Sequence, residues 1–246
     1  MVKEAFMRTV NLKNKGRIFT VVNSAGKDTP VVIMFHGFTG NHIEAHFIFA
    51  RLSKALEKAG ISSVRFDFRG SGNSDLPFEK MTLSTEISDA LKVAEYTKRN
   101  FNNSIGVLGL SMGGTIALLT LSQIDPDALC LWAPAAKNKE VFSKGIPSLP
   151  PDLNLFDVGG IMVSKEFAKE VLSFDAFSEA KKYRKPALII HGTADQAVPF
   201  DHSKELVKEF KKGNLIEIEG SDHVFSSYEW SERVIKETVK FFEKHL

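Results

Sequence analysis

The sequence predicts an α/β fold: a mostly parallel central sheet flanked by helices, with a small inserted cap. Three observations lead there. Short apolar runs recur at 31–35, 62–66, 105–108, 128–132, 187–190 and 215–218, and they are continuous rather than alternating. Strands buried on both faces of a parallel sheet read this way. Between the runs lie stretches whose apolar residues recur at helical spacing, and strands alternating with helices give a layered α/β architecture. One segment, 134–185, breaks the alternation.

Residues 7–12 and 17–22 form the expected first hairpin, around Asn14-Lys15-Gly16. After the strand at 31–35, a helix gathers Phe49, Leu52, Leu56 and Ala59 on one face. After 62–66, a second helix gathers Leu83, Ile87, Leu91 and Ala94. The strand at 105–108 runs into a glycine-flanked serine. The helix behind it stops at Asp125-Pro126, because proline cannot continue a helix. The strand at 128–132 leads into 134–185, which holds Pro147, Pro150-Pro151, Gly159-Gly160 and phenylalanines at 142, 156, 167, 174 and 177. So long a structureless loop is unusual inside a compact domain, and disordered segments are poor in aromatics. It therefore reads as a cap inserted over the C-terminal edge of the sheet. The core is then 1–133 and 186–246, closed by helices over 201–211 and 231–244.

Composition narrows the function classes. The 246 residues suit one large domain, or one domain with a small insertion. A formal net charge of +2 lacks the basic footprint of a nucleic-acid-binding domain. The cluster Lys181-Lys182-Tyr183-Arg184-Lys185 is expected on a solvated loop. Cys130, the only cysteine, lies in an apolar run and reads as a buried, inert thiol, so no intrachain disulfide is expected. Residues 1–20 are studded with Lys and Arg and lack a continuous apolar stretch. Neither a secretion leader nor a membrane span is expected, and the cytoplasm is the expected compartment. There, Asn102-Asn103-Ser104 would not serve as a glycosylation acceptor.

The chemistry centres on Gly109-Leu110-Ser111-Met112-Gly113. A G-x-S-x-G turn between a strand and a helix projects a strained serine above the sheet, and glycines on either side let strand and helix approach. A serine hydroxyl needs a base, and the base needs an orienting partner. His223, in Gly220-Ser221-Asp222-His223, follows the last strand on a loop at the carboxyl edge of the sheet, where open α/β folds build their sites. His36 and His191 stand at strand ends in other turns, and His42, His202 and His245 are expected on helices in solvent. Asp195, in His191-Gly192-Thr193-Ala194-Asp195, can accept from a histidine Nδ1–H on the neighbouring loop. Asp222 is the rival, but adjacent residues rarely meet carboxylate to ring nitrogen. The loop after 128–132 offers no carboxylate. Oxyanion donors are expected from the backbone N–H of Met112 and of Phe38, in His36-Gly37-Phe38-Thr39-Gly40. Losing one such donor costs about 2.7–4 kcal/mol of barrier. Two weaker signals fail. In Gly70-Ser71-Gly72, Asp75 stands where a dinucleotide loop needs its third glycine. His42 and His46 lack the adjacent glutamate and third ligand of a zinc site, so no metal and no cofactor is expected.

Four motifs in order make the chain similar to the α/β-hydrolase superfamily over nearly its full length: His36-Gly37-Phe38, Gly109 to Gly113, His191 to Asp195 and Ser221-Asp222-His223. The stretch Phe66-Asp67-Phe68-Arg69-Gly70-Ser71-Gly72-Asn73-Ser74 is similar to that family's R-G-x-G-x-S turn. Phe35 to Asn41 and Phe66-Asp67-Phe68 resemble the bacterial cinnamoyl and feruloyl esterases, small serine carboxylesterases with a short cap shaping the acyl pocket. The resemblance implies a Ser111, Asp195 and His223 triad with Phe38 and Met112 as oxyanion donors. Leu110 and Met112 depart from the histidine and glutamine frequent in those esterases. Monoacylglycerol lipases share much of the pattern. The expected activity is hydrolysis of carboxylic esters with hydrophobic or aromatic acyl groups. Monoacylglycerol lipase or acyl thioesterase activity is the alternative, and a non-catalytic binding protein of the same fold is the alternative of another class. The expected partner is a small-molecule ester, with neither nucleic acid nor a membrane span, and the one assembly contemplated is a homodimer.

Overall fold

The structure, a computed structural model, describes residues 6–26, 28–101, 104–143 and 154–246. Asn102-Asn103 and the prolines at 147, 150 and 151 lie outside the described residues. The chain opens with β1 (Phe6–Lys13) and β2 (Arg17–Ser24), paired antiparallel around the Asn14-Lys15-Gly16 turn. Then come β3 (Val31–Phe35), α1 (Ile48–Lys58), β4 (Ser62–Phe66), α2 (Leu83–Asn100) and β5 (Ile105–Leu110). Next are α3 (Met112–Leu119), the short α4 (Leu121–Ile124) and β6 (Ala128–Trp132). After α5 (Asn138–Ser143), β7 (Leu155–Asp157), β8 (Met162–Ser164), α6 (Lys165–Ser173) and α7 (Ala176–Glu179), the chain returns to the sheet at β9 (Ala187–Gly192). It closes with α8 (Phe200–Glu209), β10 (Gly213–Ile218) and α9 (Tyr228–His245).

The main sheet has eight strands in the order β1-β2-β4-β3-β5-β6-β9-β10. From β4 to β10 every pairing is parallel. From β3 the chain goes outward to β4, then crosses back to place β5 on the other side. The strand order therefore reverses between β3 and β5, and ligand sites of open α/β sheets form outside the carboxyl ends at such a point. The loops leaving β3 and β5 carry Phe38 and Ser111.

Each face of the sheet has its own apolar cluster. One joins Ile33, Phe35, Val107 and Leu131 to Val93 of α2 and Ile116 of α3. The other joins Val32, Met34, Leu108 and Trp132 to Phe49 and Leu52 of α1 and Val234 and Phe242 of α9. Each such side chain fully buried stabilises by about 1.5–3 kcal/mol. The strands β3, β5, β6 and β9 are buried throughout, as continuous apolar runs require. β10 corrects the expectation of burial on both faces. It is the edge strand and is mostly exposed along Gly213, Asn214 and Glu217.

The described residues between β6 and β9 leave the main sheet. β7 and β8 form a separate antiparallel ribbon. Its Phe156 and Val163, with Phe167 and Val171 of α6, bury themselves in the same cluster as Phe35 and Ile116. Glu170 of α6 accepts from the Ser84 N–H at the start of α2 (2.8 Å), a second tie to the core. In the basic stretch Lys181, Lys182 and Arg184 are exposed, as expected, but Tyr183 is buried and its hydroxyl donates to the Pro126 carbonyl (2.9 Å). Cys130 is buried, and burial pushes its thiol up to about 12. Among the described residues, no helix is long and apolar enough to cross a membrane.

Candidate active site

Ser111 sits between β5 and α3 with φ 54° and ψ −117°. That is a strained conformation for a residue with a side chain, costing about 1–3 kcal/mol. The turn is held by its surroundings. Ser111 N–H donates to the Trp132 carbonyl of β6 (2.9 Å), and the Ser111 carbonyl accepts from Gly114 (2.9 Å) and Ala135 (3.0 Å). A Cβ on Gly113 would lie 2.1 Å from the Phe35 carbonyl oxygen, and one on Gly109 would lie 2.4 Å from the Gly113 oxygen. Both positions exclude any side chain, and this contact is what drives the serine upward.

His223 and Asp195 come from the loops after β10 and β9. The loops touch because Gly192 has no side chain: a Cβ there would lie 2.3 Å from the Ser221 oxygen. Ala194 N–H donates to the same Ser221 oxygen (3.0 Å). His223 Nδ1 lies 2.6 Å from Asp195 Oδ2, and His223 Nε2 lies 2.9 Å from Ser111 Oγ. The carboxylate fixes the tautomer. Nδ1–H donates to Asp195, which leaves Nε2 free to accept the serine proton. The rival Asp222 is turned away, accepting from Ser226 N–H (2.9 Å).

Asp195 is fully enclosed, and four donors meet it. Oδ1 accepts from the N–H groups of Ala197 (2.8 Å) and Val198 (2.9 Å), and Oδ2 accepts from His223 and from His191 Nε2 (2.9 Å). Burial alone would raise its pKa. The hydrogen bonds from His191 and His223 outweigh that and hold the carboxyl well below the usual carboxylate range. His191 is the residue that motif reading missed. It stands at the end of β9, with Nδ1 2.6 Å from Ser203 Oγ of α8. The available signal was a histidine ending an apolar strand, since a buried polar ring must find partners.

The third loop, after β3, carries Phe38. Among the described residues, neither its N–H nor that of Met112 donates to a protein acceptor. A Cβ on Gly37 would lie 3.4 Å from Ser111 Cβ, so this loop lies directly against the serine. His36 beneath it accepts from Phe68 N–H at Nε2 (3.0 Å), and Nδ1–H donates to the Gly37 carbonyl (2.8 Å). The Phe38 ring is enclosed by others. It stacks on Phe167 of α6 (centroids 5.6 Å apart) and meets Phe142 of α5 (5.9 Å) and Phe78 (5.5 Å) edge-on.

Of the histidines expected in solvent on helices, His42 and His202 depart from the expectation, while His245 does not. His42 precedes α1, and its Nδ1 and backbone N–H both bond the buried Asp67 (2.7 Å each). That pair is anchored by Asn73 N–H to Asp67 Oδ2 (2.8 Å), and a Cβ on Gly72 would lie 2.3 Å from that oxygen. The Gly70-Ser71-Gly72 turn is thus a seat for a carboxylate. His202 lies on α8 but is buried, with Nε2 3.3 Å from Glu140 of α5. His245 ends α9 and packs on Phe241.

Comparison with known proteins identifies the family and the fold. The family model described as Serine aminopeptidase, S33 (Hydrolase_4) matches residues 26–156, just over half of the chain. That span includes Ser111 and Phe38 and ends before Asp195 and His223. Est1E from Butyrivibrio proteoclasticus, solved with ferulic acid bound, is 26% identical. The match covers 96% of this chain and 98% of that one, with a TM-score of 0.88. The AB hydrolase superfamily protein YisY of Bacillus subtilis is 27% identical across 91% of this chain and 95% of its own length. The bifunctional esterase/perhydrolase DCH of Acinetobacter calcoaceticus is 25% identical across 87% and 92%.

Proposed function

The chain belongs to the Hydrolase_4 family of α/β hydrolases, and on that premise we propose that it is a cytoplasmic serine carboxylesterase. The observation that carries the reading is the hydrogen-bonded line from Ser111 through His223 to Asp195 (2.9 and 2.6 Å). Ser111 Oγ attacks the ester carbonyl carbon while His223 Nε2 takes its proton. The oxygen that becomes negative lies between the N–H groups of Phe38 and Met112. Collapse of the tetrahedral species breaks the bond to the alcohol, which leaves with the proton from Nε2. Water then attacks the acyl-enzyme, His223 again takes the proton, and the acid departs as Ser111 regains its hydrogen. Asp195 stays ionised throughout and stabilises the imidazolium.

The acyl group is hydrophobic or aromatic, of hydroxycinnamoyl type. Two things support this. Phenylalanines 78, 142 and 167 pack on Phe38, which stands on the loop whose Gly37 lies against the serine, and Est1E, the 26% identical relative, was solved with ferulic acid bound. Residues 134–185 act as the cap that contributes Phe142 and Phe167. A fluorophosphonate probe should label the wild-type protein and not Ser111→Ala. Methyl hydroxycinnamates and medium-chain esters should then be hydrolysed faster than acetate esters, monoacylglycerols, acyl-CoA or aminoacyl anilides. Strong preference for acetate would overturn the acyl assignment, and equal labelling of Ser111→Ala would overturn the mechanism.

A further inference from the structure

We propose that Glu44 is a positioning residue for the oxyanion loop: its carboxylate clamps the Gly37 N–H and so aims the Phe38 N–H at the reacting carbonyl oxygen. The inference rests on the function proposed above. Glu44 stands at φ 60° and ψ 171°. That region is essentially reserved for glycine. A glycine there would satisfy the backbone without strain. What only a longer side chain supplies is an oxygen that reaches back. Glu44 Oε1 accepts from Gly37 N–H at 2.7 Å, and Oε2 accepts from Ala45 N–H at 3.2 Å. The surroundings are cut to fit that carboxylate. A Cβ on Gly40 would lie 2.3 Å from Oε1.

The consequence for Phe38 follows from peptide geometry. A trans peptide points its C=O and its N–H in opposite directions. The Gly37 carbonyl accepts from His36 Nδ1–H (2.8 Å) and from Gly40 N–H (3.0 Å), which closes a turn with Thr39 at φ 62°. The Phe38 N–H of the same peptide must therefore point the other way. Glu44 fixes the preceding peptide through Gly37 N–H. With both ends of Gly37 tied, one orientation of the donor remains. Without Glu44, the His36–Gly37 peptide loses the bond that fixes its N–H, and a donor misplaced by a fraction of its bond length loses much of its value in the transition state.

Three substitutions separate positioning from local structure. Glu44→Met keeps the length and the strained backbone but offers no oxygen. Glu44→Gly removes the strain and the oxygen together. Glu44→Gln keeps an accepting oxygen without the charge. For Met and Gly, kcat on an aromatic ester should fall about 10- to 100-fold with KM little changed. The inhibition constant of a trifluoromethyl ketone, which forms the tetrahedral adduct, should weaken in proportion to kcat/KM. For Gly, Tm should stay close to wild type, because relief of strain offsets the lost bonds. Gln should recover most of the lost activity. The proposal is overturned if Met retains wild-type kcat and inhibitor affinity, or if Gln loses as much as Met. If instead Ser111→Ala hydrolyses the ester as fast as wild type, it is the proposed function that fails.

Discussion

Two turns flank the candidate site, and each holds a side-chain-bearing residue in a conformation that favours glycine. They are held in different ways. The serine turn at Ser111 is fixed by packing: Gly109 and Gly113 sit against backbone oxygens, with no room for another atom. The turn after β3 is fixed by polar side chains: Glu44 on Gly37, and His36 on Gly37 and Phe68. Close packing yields little and fails by loss of stability. A hydrogen-bonded loop yields locally and fails by loss of geometry. The proposed nucleophile is therefore built into the core, while the proposed oxyanion loop is adjustable.

The largest effects break the comparison at the chemistry itself. Ser111→Ala should lower kcat by about a millionfold. Asp195→Asn should lower it by about ten thousandfold, because His223 then settles in the wrong tautomer. Steady-state kinetics on an activated aromatic ester check both. Next comes the packed turn. Gly113→Ala forces a methyl group toward the Phe35 oxygen and should destabilise the protein by about 3 kcal/mol or more, read by urea unfolding. Gly40→Ala sharpens the contrast. Its methyl would meet the far end of Glu44 and lie 3.0 Å from the Gly37 carbonyl oxygen, so it should cost about 1–2 kcal/mol of stability, less than Gly113→Ala, while lowering kcat about tenfold.

Acid dependence gives a smaller effect. Asp195 has its folded pKa held below the ordinary 3.8. Its contribution to stability is complete above that value and is lost as pH falls through the folded pKa. His191→Leu removes one of the donors responsible, so urea midpoints measured from pH 5 downward should fall less steeply for the variant. Least of all, Cys130 should resist iodoacetamide in the native protein at pH 8, since burial holds its thiol protonated.

Much of this was legible in the residues. Continuous apolar runs announced β3, β5, β6 and β9 because both faces of those strands are covered, and the same rule misled at β10, where one edge has no neighbour. The meeting of Ser111, His223 and Asp195 was readable because each stands in a short motif at the end of a strand. Glu44, His191 and the His42–Asp67 pair were not. Their roles depend on long-range hydrogen bonds that no local spacing encodes, and two of these histidines looked like ordinary surface or turn residues. The helix boundaries moved by a few residues for a local reason. Ser227 caps α9 through the Trp230 N–H (3.1 Å) and starts that helix at Tyr228 rather than at 231.

The segment between β6 and β9 has a consequence for dynamics. Phe156, Val163, Phe167 and Val171 are buried in the cluster that also holds Phe35 and Ile116. A lid hinged on exposed linkers swings without disturbing the fold beneath it. The β7–β8 ribbon and α6 have no such freedom, because lifting them would bring core surface into water. Its amide hydrogens should exchange with solvent through an opening whose free energy depends on denaturant, as partial unfolding does. Under the cap role proposed above, substrate admission and conformational stability become one equilibrium, and warming favours both entry to the site and loss of the packed structure.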